Sequence, residues 1–324
     1  MKRLLSSFLL SVHTALSFAQ TPDNLQQADT VELQYGWYPD ISIAVEYHKT
    51  ELIKKSGGEK DTFNVDGNYL IRTKTHPDGL QIDFEPIYFI FNKSGHADAD
   101  NKLQEFMQRL TGINPSYVIN TEGSFHEIIK FDEFSKAIKN EMSDFFKDIP
   151  EQQFTKIQQL VNTAFSREQI MSQLQDEWNR DVGQWAGGKL ERGYTYDIKF
   201  NRPIPILDNL QVPGIGHYEY TGRTPCNHID KNNSCVRLNY YSQINEEATK
   251  PIMQELFKKM GIKDKKDFSF KVDYNLEVIT EEKTLFPHYV KETTSTLLPN
   301  TAQDNLLEKK VTKEFNYTYI KRQD

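Results

Sequence analysis

Apolar and polar residues alternate along much of the chain, and the period changes twice. Ile41, Ile43, Val45 and Tyr47 interleave with Ser42, Ala44, Glu46 and His48. That two-residue period predicts an antiparallel strand with one dry face and one wet one. Strand-like runs cover Val31 to Trp37, Ile41 to Ile53, Thr62 to Thr75 and Leu80 to Phe91. Between them, Lys55-Ser56-Gly57-Gly58 and His76-Pro77-Asp78-Gly79 supply turn chemistry, so neighbouring runs are expected to pair as a meander. Leu103, Phe106, Met107 and Leu110 then recur at helical spacing, with Asp98 or Asp100 placed to cap the start and Gly112 to stop it. Tyr117 to Asn120 and Ser124 to Ile129, either side of Thr121-Glu122-Gly123, predict a hairpin.

From Phe131 to about Trp185 the period becomes 3.6 residues. Phe134, Ile138, Met142, Phe145 and Phe146 form one stripe, ended by Pro150. A second helix is expected to carry Phe154, Ile157, Leu160, Val161 and Phe165. A third starts after Ser166, whose spacing to Gln169 fits a reciprocal cap, and presents Ile170, Leu174, Trp178, Val182 and Trp185. Gly187-Gly188 breaks the pattern. Strands return at Tyr194 to Phe200, His217 to Tyr220 and Cys235 to Tyr241. A helix at about Thr249 to Met260 follows, with Pro251 in its first turn and Gly261 as its stop. Phe268 to Ile279, Leu285 to Leu298 and Val311 to Ile320 read as long strands.

Runs of strands segregated from runs of helices predict an α+β class: strongly curved antiparallel β-sheets packed on a central group of amphipathic helices, in an order that suggests two similar halves. The expected organisation is residues 1–19 as a signal peptide, 20–130 as an N-terminal sheet-rich half, 131–188 as a central helical segment and 189–324 as a C-terminal sheet-rich half, with one continuous domain as the alternative. The signal peptide rests on Lys2 and Arg3, the apolar run Leu4 to Leu10, and the small-residue ending Ser17-Phe18-Ala19. A polar segment follows at once, so no transmembrane segment is expected. A bent sheet wrapped on helices behind a signal peptide resembles the layout of periplasmic lipid and lipoprotein carriers. No motif of that family is present to carry over.

Composition sharpens this picture in three places. Aromatics reach 12% while hydrophobic residues are 37%, so buried area is expected to come largely from rings. The formal charge is −7, and removing Lys2 and Arg3 takes it to −9, which argues against nucleic acid as a partner. The two cysteines, Cys226 and Cys235, lie nine residues apart in a turn-rich stretch between strand-like runs. In an exported chain they are expected to form a disulfide. A zinc site at Cys226, His228 and Cys235 is the sharper alternative, but it offers three ligands without paired Cys-x-x-Cys spacing.

Motifs that fix a reaction are wanting. His126-Glu127 opens like a helical zinc-protease motif, yet Lys130 stands where the second histidine belongs. His96, Asp98 and Asp100 alternate as cation ligands could, but a short helix follows and the aspartates read as its capping residues. Asp230, Asn232 and Ser234 resemble calcium-loop oxygens, but Cys235 replaces the glycine and Tyr241 the glutamate. Gly214-Ile215-Gly216 lacks a third glycine, and no Gly-x-Ser-x-Gly elbow occurs. No catalytic residues, metal or cofactor are therefore assigned. The positive signal is aromatic: Tyr194, Tyr196 and Phe200, Tyr218 and Tyr220, Phe268 and Phe270, and Phe315, Tyr317 and Tyr319 repeat at strand period. They are expected to fill the core. Alternatively, with Trp178 and Trp185, they line an apolar groove, in which Trp178, Trp185, Tyr218 and Tyr220 would be the ligand-binding residues. The leading expectation is an exported protein, periplasmic in a Gram-negative host and otherwise secreted. It would act as a non-enzymatic binding or carrier protein for an apolar or lipid-like ligand. An envelope assembly or protein-interaction module is the second reading, and a hydrolase with a dispersed site is the third.

Overall fold

The computed structural model describes residues 29–54, 60–94, 105–106, 109–110, 112–204, 210–227, 232, 234–259, 271–300 and 305–320. The signal peptide expected at Met1 to Ala19, His96, Asp98, Asp100, His228 and Asp230 lie outside these residues. Strands dominate: 55% of the structure is strand and 25% helical. Eleven strands form a single antiparallel sheet. In chain order, β1 (Thr30–Glu32) stands apart, followed by β2 (Ser42–Lys54), β3 (Lys60–His76), β4 (Gly79–Ser94), β5 (Ser116–Ile119) and β6 (Phe125–Ile129). After the helices come β7 (Lys189–Glu191), β8 (Thr195–Ile204), β9 (Leu210–Thr224), β10 (Cys235–Ile244), β11 (Lys271–Glu281), β12 (Pro287–Asn300) and β13 (Asn305–Ile320). Across the sheet the order is β6-β5-β4-β3-β2-β13-β12-β11-β10-β9-β8, while β1 and β7 pair separately.

This corrects the expected α+β arrangement of several sheets around central helices. The two strand-rich segments are one sheet because β13 pairs with β2 along the length of both, from Ser42↔Ile320 to Lys54↔Glu308. The short helices α1 (Phe131–Phe145), α2 (Glu151–Ala164), α3 (Arg167–Trp178) and α4 (Glu246–Lys259) are accessories to that sheet. Local patterning located the helices because their apolar stripes and caps are local: Phe134, Ile138 and Met142 are buried in α1, and the Gln169 amide donates to Ser166 Oγ at the start of α3. The last helix starts earlier than expected. Asn245 Oδ1 accepts from the Ala248 amide, α4 begins at Glu246, and Pro251 falls inside the helix.

The sheet has one apolar and one charged face, as the two-residue period requires. On the apolar face, one row of neighbours is Phe315, Tyr47, Gly67 and Phe89. Gly67 is required there because a Cβ would strike the Phe89 ring, which lies across it. Gly79 closes the β3–β4 turn at φ 145°, with the Ile119 carbonyl packed where a side chain would be. The opposite face carries cross-strand ion pairs: His48–Asp66, Arg72–Glu85, Arg237–Glu277 and Lys291–Glu314. Exposed pairs of this kind contribute little stability each. Their alternation with the buried row holds the strand register, since a one-residue slip would bury the charges.

The disulfide joins Cys226 to Cys235, with an S–S length of 2.01 Å, at the end of the β9–β10 hairpin. No helix among the described residues is long and apolar enough to cross a membrane.

Candidate functional site

The end of α3 is where buried surface and charge meet. Ile170, Leu174 and Trp178 are the buried positions of α3, and directly after it Asn179–Gly183 forms a single π-turn. The Gln184 amide reaches back to the Asn179 carbonyl at 3.1 Å, which widens the turn. Such turns are rare and recur at functional sites. Here the turn brings Arg180 and Asp181 toward the sheet together with Val182, which is fully buried.

Arg180 is 8% exposed and fully engaged. Its Nε and Nη2 donate to the two oxygens of Asp181 at 2.5 and 2.8 Å, its Nη1 donates to Glu292 on β12 at 3.4 Å, and its guanidinium lies 4.1 Å from the centre of the Phe315 ring on β13. Tyr317 donates to Asp181 at 2.7 Å, and Lys313 pairs with Glu292 at 3.3 Å. Burial alone would depress the guanidinium, but Asp181, with Tyr317 and Glu292 behind it, outweighs burial and holds Arg180 above its ordinary range. Tyr317, Tyr69 and Tyr117 are held well above the usual phenol range, first by burial and then by neighbouring carboxylates.

Beside this cluster lies a small, partly enclosed cleft of about 30 Å³. Trp37, Tyr69, Phe84, Tyr117, Trp178 and Tyr317 give it six aromatic walls, and Glu177, Arg180 and Asp181 form its polar side. Its walls are fixed by hydrogen bonds to main chain. Trp178 Nε1 donates to the Gly123 carbonyl at 2.7 Å, and Trp37 Nε1 to the Leu285 carbonyl at 3.4 Å. Leu285 sits in the left-handed region at φ 55° in the β11–β12 turn, a conformation uncommon for a branched aliphatic residue. Trp37 is stacked on Phe286 at 4.6 Å and meets Trp178 nearly at right angles, 5.1 Å between centroids. Tyr117 meets Trp178 at 6.3 Å and 68°.

Glu177 differs from the other carboxylates in the cleft. Its Oε1 accepts from Gln173 at 3.2 Å, and among the described residues no ion pair engages it. Burial raises its titration above the usual carboxyl range, more than the nearby Arg180 charge lowers it.

The four aromatic residues singled out from sequence separate into two places. Trp178 lines the cleft. Trp185 and Tyr218 meet edge-to-face at 5.3 Å, and Tyr218 continues to Tyr240 at 4.6 Å. Burial pushes the Tyr218 phenol up to about 12. Tyr220 is fully buried, and its hydroxyl donates to Asp29 at 3.2 Å. Sequence reasoning missed Trp37, Tyr69, Tyr117, Glu177, Arg180 and Asp181, while Tyr317 was among the aromatics it expected in the core or along a groove. The available signal was Glu177, Arg180 and Asp181 interleaved with the apolar stripe of α3, charges set where a plain amphipathic helix would keep its dry face. The proposed zinc ligands Cys226 and Cys235 are consumed by the disulfide.

No protein-family model matches the chain, and no curated protein matches it in sequence. Solved structures with some similarity are a lipovitellin structure described by its lipid–protein interactions, the β domain of the Bordetella autotransporter Brka, and an outer-membrane channel from Pseudomonas putida F1. Lipovitellin gives a TM-score of 0.40 at 6% identity, covering 89% of this chain and 26% of its own. The autotransporter domain gives 0.23 at 7%, covering 86% and 99%, and the channel 0.19 at 9%, covering 92% and 100%. This chain spans about a quarter of the lipovitellin chain. All three values lie below those of a shared fold.

Proposed function

We propose that this is an exported, non-enzymatic binding or carrier protein that takes up an apolar or lipid-like ligand in the cleft between the sheet and the end of α3. The observation that carries the reading is the set of six aromatic rings walling a partly enclosed cleft; its volume is about 30 Å³, so a ligand has to part the rings to enter. Small-molecule sites combine this kind of apolar concavity with a few convergent polar groups, and the rings supply large contact area at little entropic cost. Of the polar groups at its base, Arg180 and Asp181 belong to a satisfied network.

Native mass spectrometry of the detergent-free protein, compared with its denatured mass, tests the reading together with tryptophan fluorescence. Two of the three tryptophans, Trp37 and Trp178, line the cleft. The expected result is an adduct of a few hundred daltons that leaves on denaturation, with a saturable change in tryptophan emission when the stripped protein is titrated with amphiphiles. A bare mass and an unresponsive emission across neutral, anionic and cationic amphiphiles would overturn it.

A further inference from the structure

We propose that the Cys226–Cys235 bridge is a thiol–disulfide exchange site, with Cys226 as the sulfur attacked by a dithiol substrate and His288 as the proton carrier. The proposal does not rest on the binding reading above.

Three features set this bridge apart from a plain staple. The first is unequal access to its sulfurs. Cys226 is half-buried, whereas Cys235, at the start of β10, is fully buried. An incoming thiolate therefore attacks Cys226, and Cys235 becomes the departing sulfur. The second is an imidazole brought in from another strand. A ring nitrogen of His288 and the two sulfurs all lie within 4.8 Å of one another. On β12, Tyr289 pairs with Ile279 and Pro287 with Thr280, so His288 is the extra residue of a bulge. Bulges re-aim side chains and recur beside active sites.

The third feature is the support behind that imidazole. Glu281 Oε1 lies 3.3 Å from His288 Nε2, and Glu281 Oε2 accepts from Thr284 Oγ1 at 2.6 Å. The His288 contact, helped by Thr284, outweighs burial and holds Glu281 below the usual carboxyl range. A carboxylate anchored in this way orients the imidazole and favours its charged form. On the other side of the bridge, Ser234 Oγ lies 3.2 Å from the Cys226 sulfur and donates to it, since a bridged sulfur carries no proton. Sulfur, imidazole and carboxylate thus stand in the series that activates cysteines elsewhere.

The exchange balances in two steps. First, a substrate thiol gives its proton to His288 and its sulfur bonds to Cys226 Sγ. The Cys226–Cys235 bond breaks, its electron pair goes to Cys235, and that sulfur takes the proton from His288. Second, the substrate's other thiol attacks the mixed disulfide and releases Cys226, which receives that thiol's proton. The dithiol is oxidised to a disulfide, and the bridge is reduced to two thiols.

The test uses the intact oxidised protein and dithiothreitol at neutral pH, with oxidised glutathione as the reference disulfide. The bridge is expected to be reduced at least about tenfold faster than the reference while circular dichroism stays native, the size of one charge-assisted contact. His288→Asn, confirmed folded, is expected to lose about tenfold of that rate. In Cys235→Ser, the Cys226 thiol is expected to react with iodoacetamide about tenfold faster than a free cysteine peptide, and adding His288→Asn is expected to remove the advantage. A histidine that only packs there would leave this alkylation rate unmoved. A bridge reduced no faster than oxidised glutathione, or reduced only once the protein unfolds, would overturn the proposal. So would a His288→Asn protein reduced as fast as the wild type. Because the comparison with oxidised glutathione is made on the unaltered protein, a variant that fails to fold does not remove the test.

Discussion

Glu177 and Arg180 sit one helical turn apart, both beside the cleft, and have opposite relations to their surroundings. Arg180 is overcommitted to partners, so its charge is part of the architecture; Glu177 is charged against its environment. The sign of the consequence follows from the raised titration of Glu177, caused first by burial. The folded state holds this proton more tightly than the unfolded chain. The group's contribution to stability is therefore complete below the ordinary carboxyl range and is lost as pH rises through the raised value. The groups facing Glu177 are Arg180 and Asp181 from its own segment, Lys313 from β13, Tyr117 from β5 and Tyr69 from β3. Urea unfolding of wild type and Glu177→Gln from the carboxyl range to neutrality should show the wild type losing stability relative to the variant as pH rises, with a slope of at most about 1.4 kcal/mol per pH unit. A constant difference would show that Glu177 titrates as an ordinary surface carboxylate. Little of this was legible in the chain: Glu177, Arg180 and Asp181 were visible as charges near an apolar stripe. Trp37, Tyr69, Tyr117 and Tyr317, which enclose them, come from four distant segments that meet only once strand register is set.

At the scale of elements, legibility followed the range of the interactions that define each one. The helix α3 could be read from Ser166 and Gln169 at its start and from Ile170, Leu174 and Trp178 along its side, all within one short window. The β5–β6 hairpin was likewise readable from its Thr121-Glu122-Gly123 turn. The disulfide was readable too, because only eight residues rich in turn formers separate Cys226 from Cys235. Its contribution is local in the same way. Replacing both cysteines with serine should destabilise by about 2–3 kcal/mol, the chain-entropy value for so short a loop. The loss should appear in chemical denaturation with an unchanged denaturant dependence, since the folded surface is the same. A far larger loss would mean that the bridge holds more than the β9–β10 end, for instance through His288, which lies within reach of both sulfurs.

For the whole molecule, the pairing that matters most was invisible from local pattern. Each half of the chain reads as a set of strands with its own turns, so two similar sheet-rich halves was the natural expectation. Only the register between β2 and β13 fuses them, and no turn or short-range signal encodes a contact between segments from opposite ends of the sequence. The dependence runs in both directions: deleting residues 305–324 removes a central strand, leaving β2 and β12 each with one unpaired edge. The truncated chain should lose its cooperative thermal transition by circular dichroism and become sensitive to limited proteolysis, whereas trimming an outer strand such as β8 should cost far less. A truncated chain that melted as sharply as the full one would show that the halves are independent. The position of β13 also bears on how the protein is made. It follows every other strand of the sheet, so a chain emerging from the ribosome carries two unjoined fragments, each with an unpaired strand edge, until residue 320 is available. Joining the two must wait until β13 has been made, and during that interval the unpaired edges of β2 and β12 are open to wrong pairing.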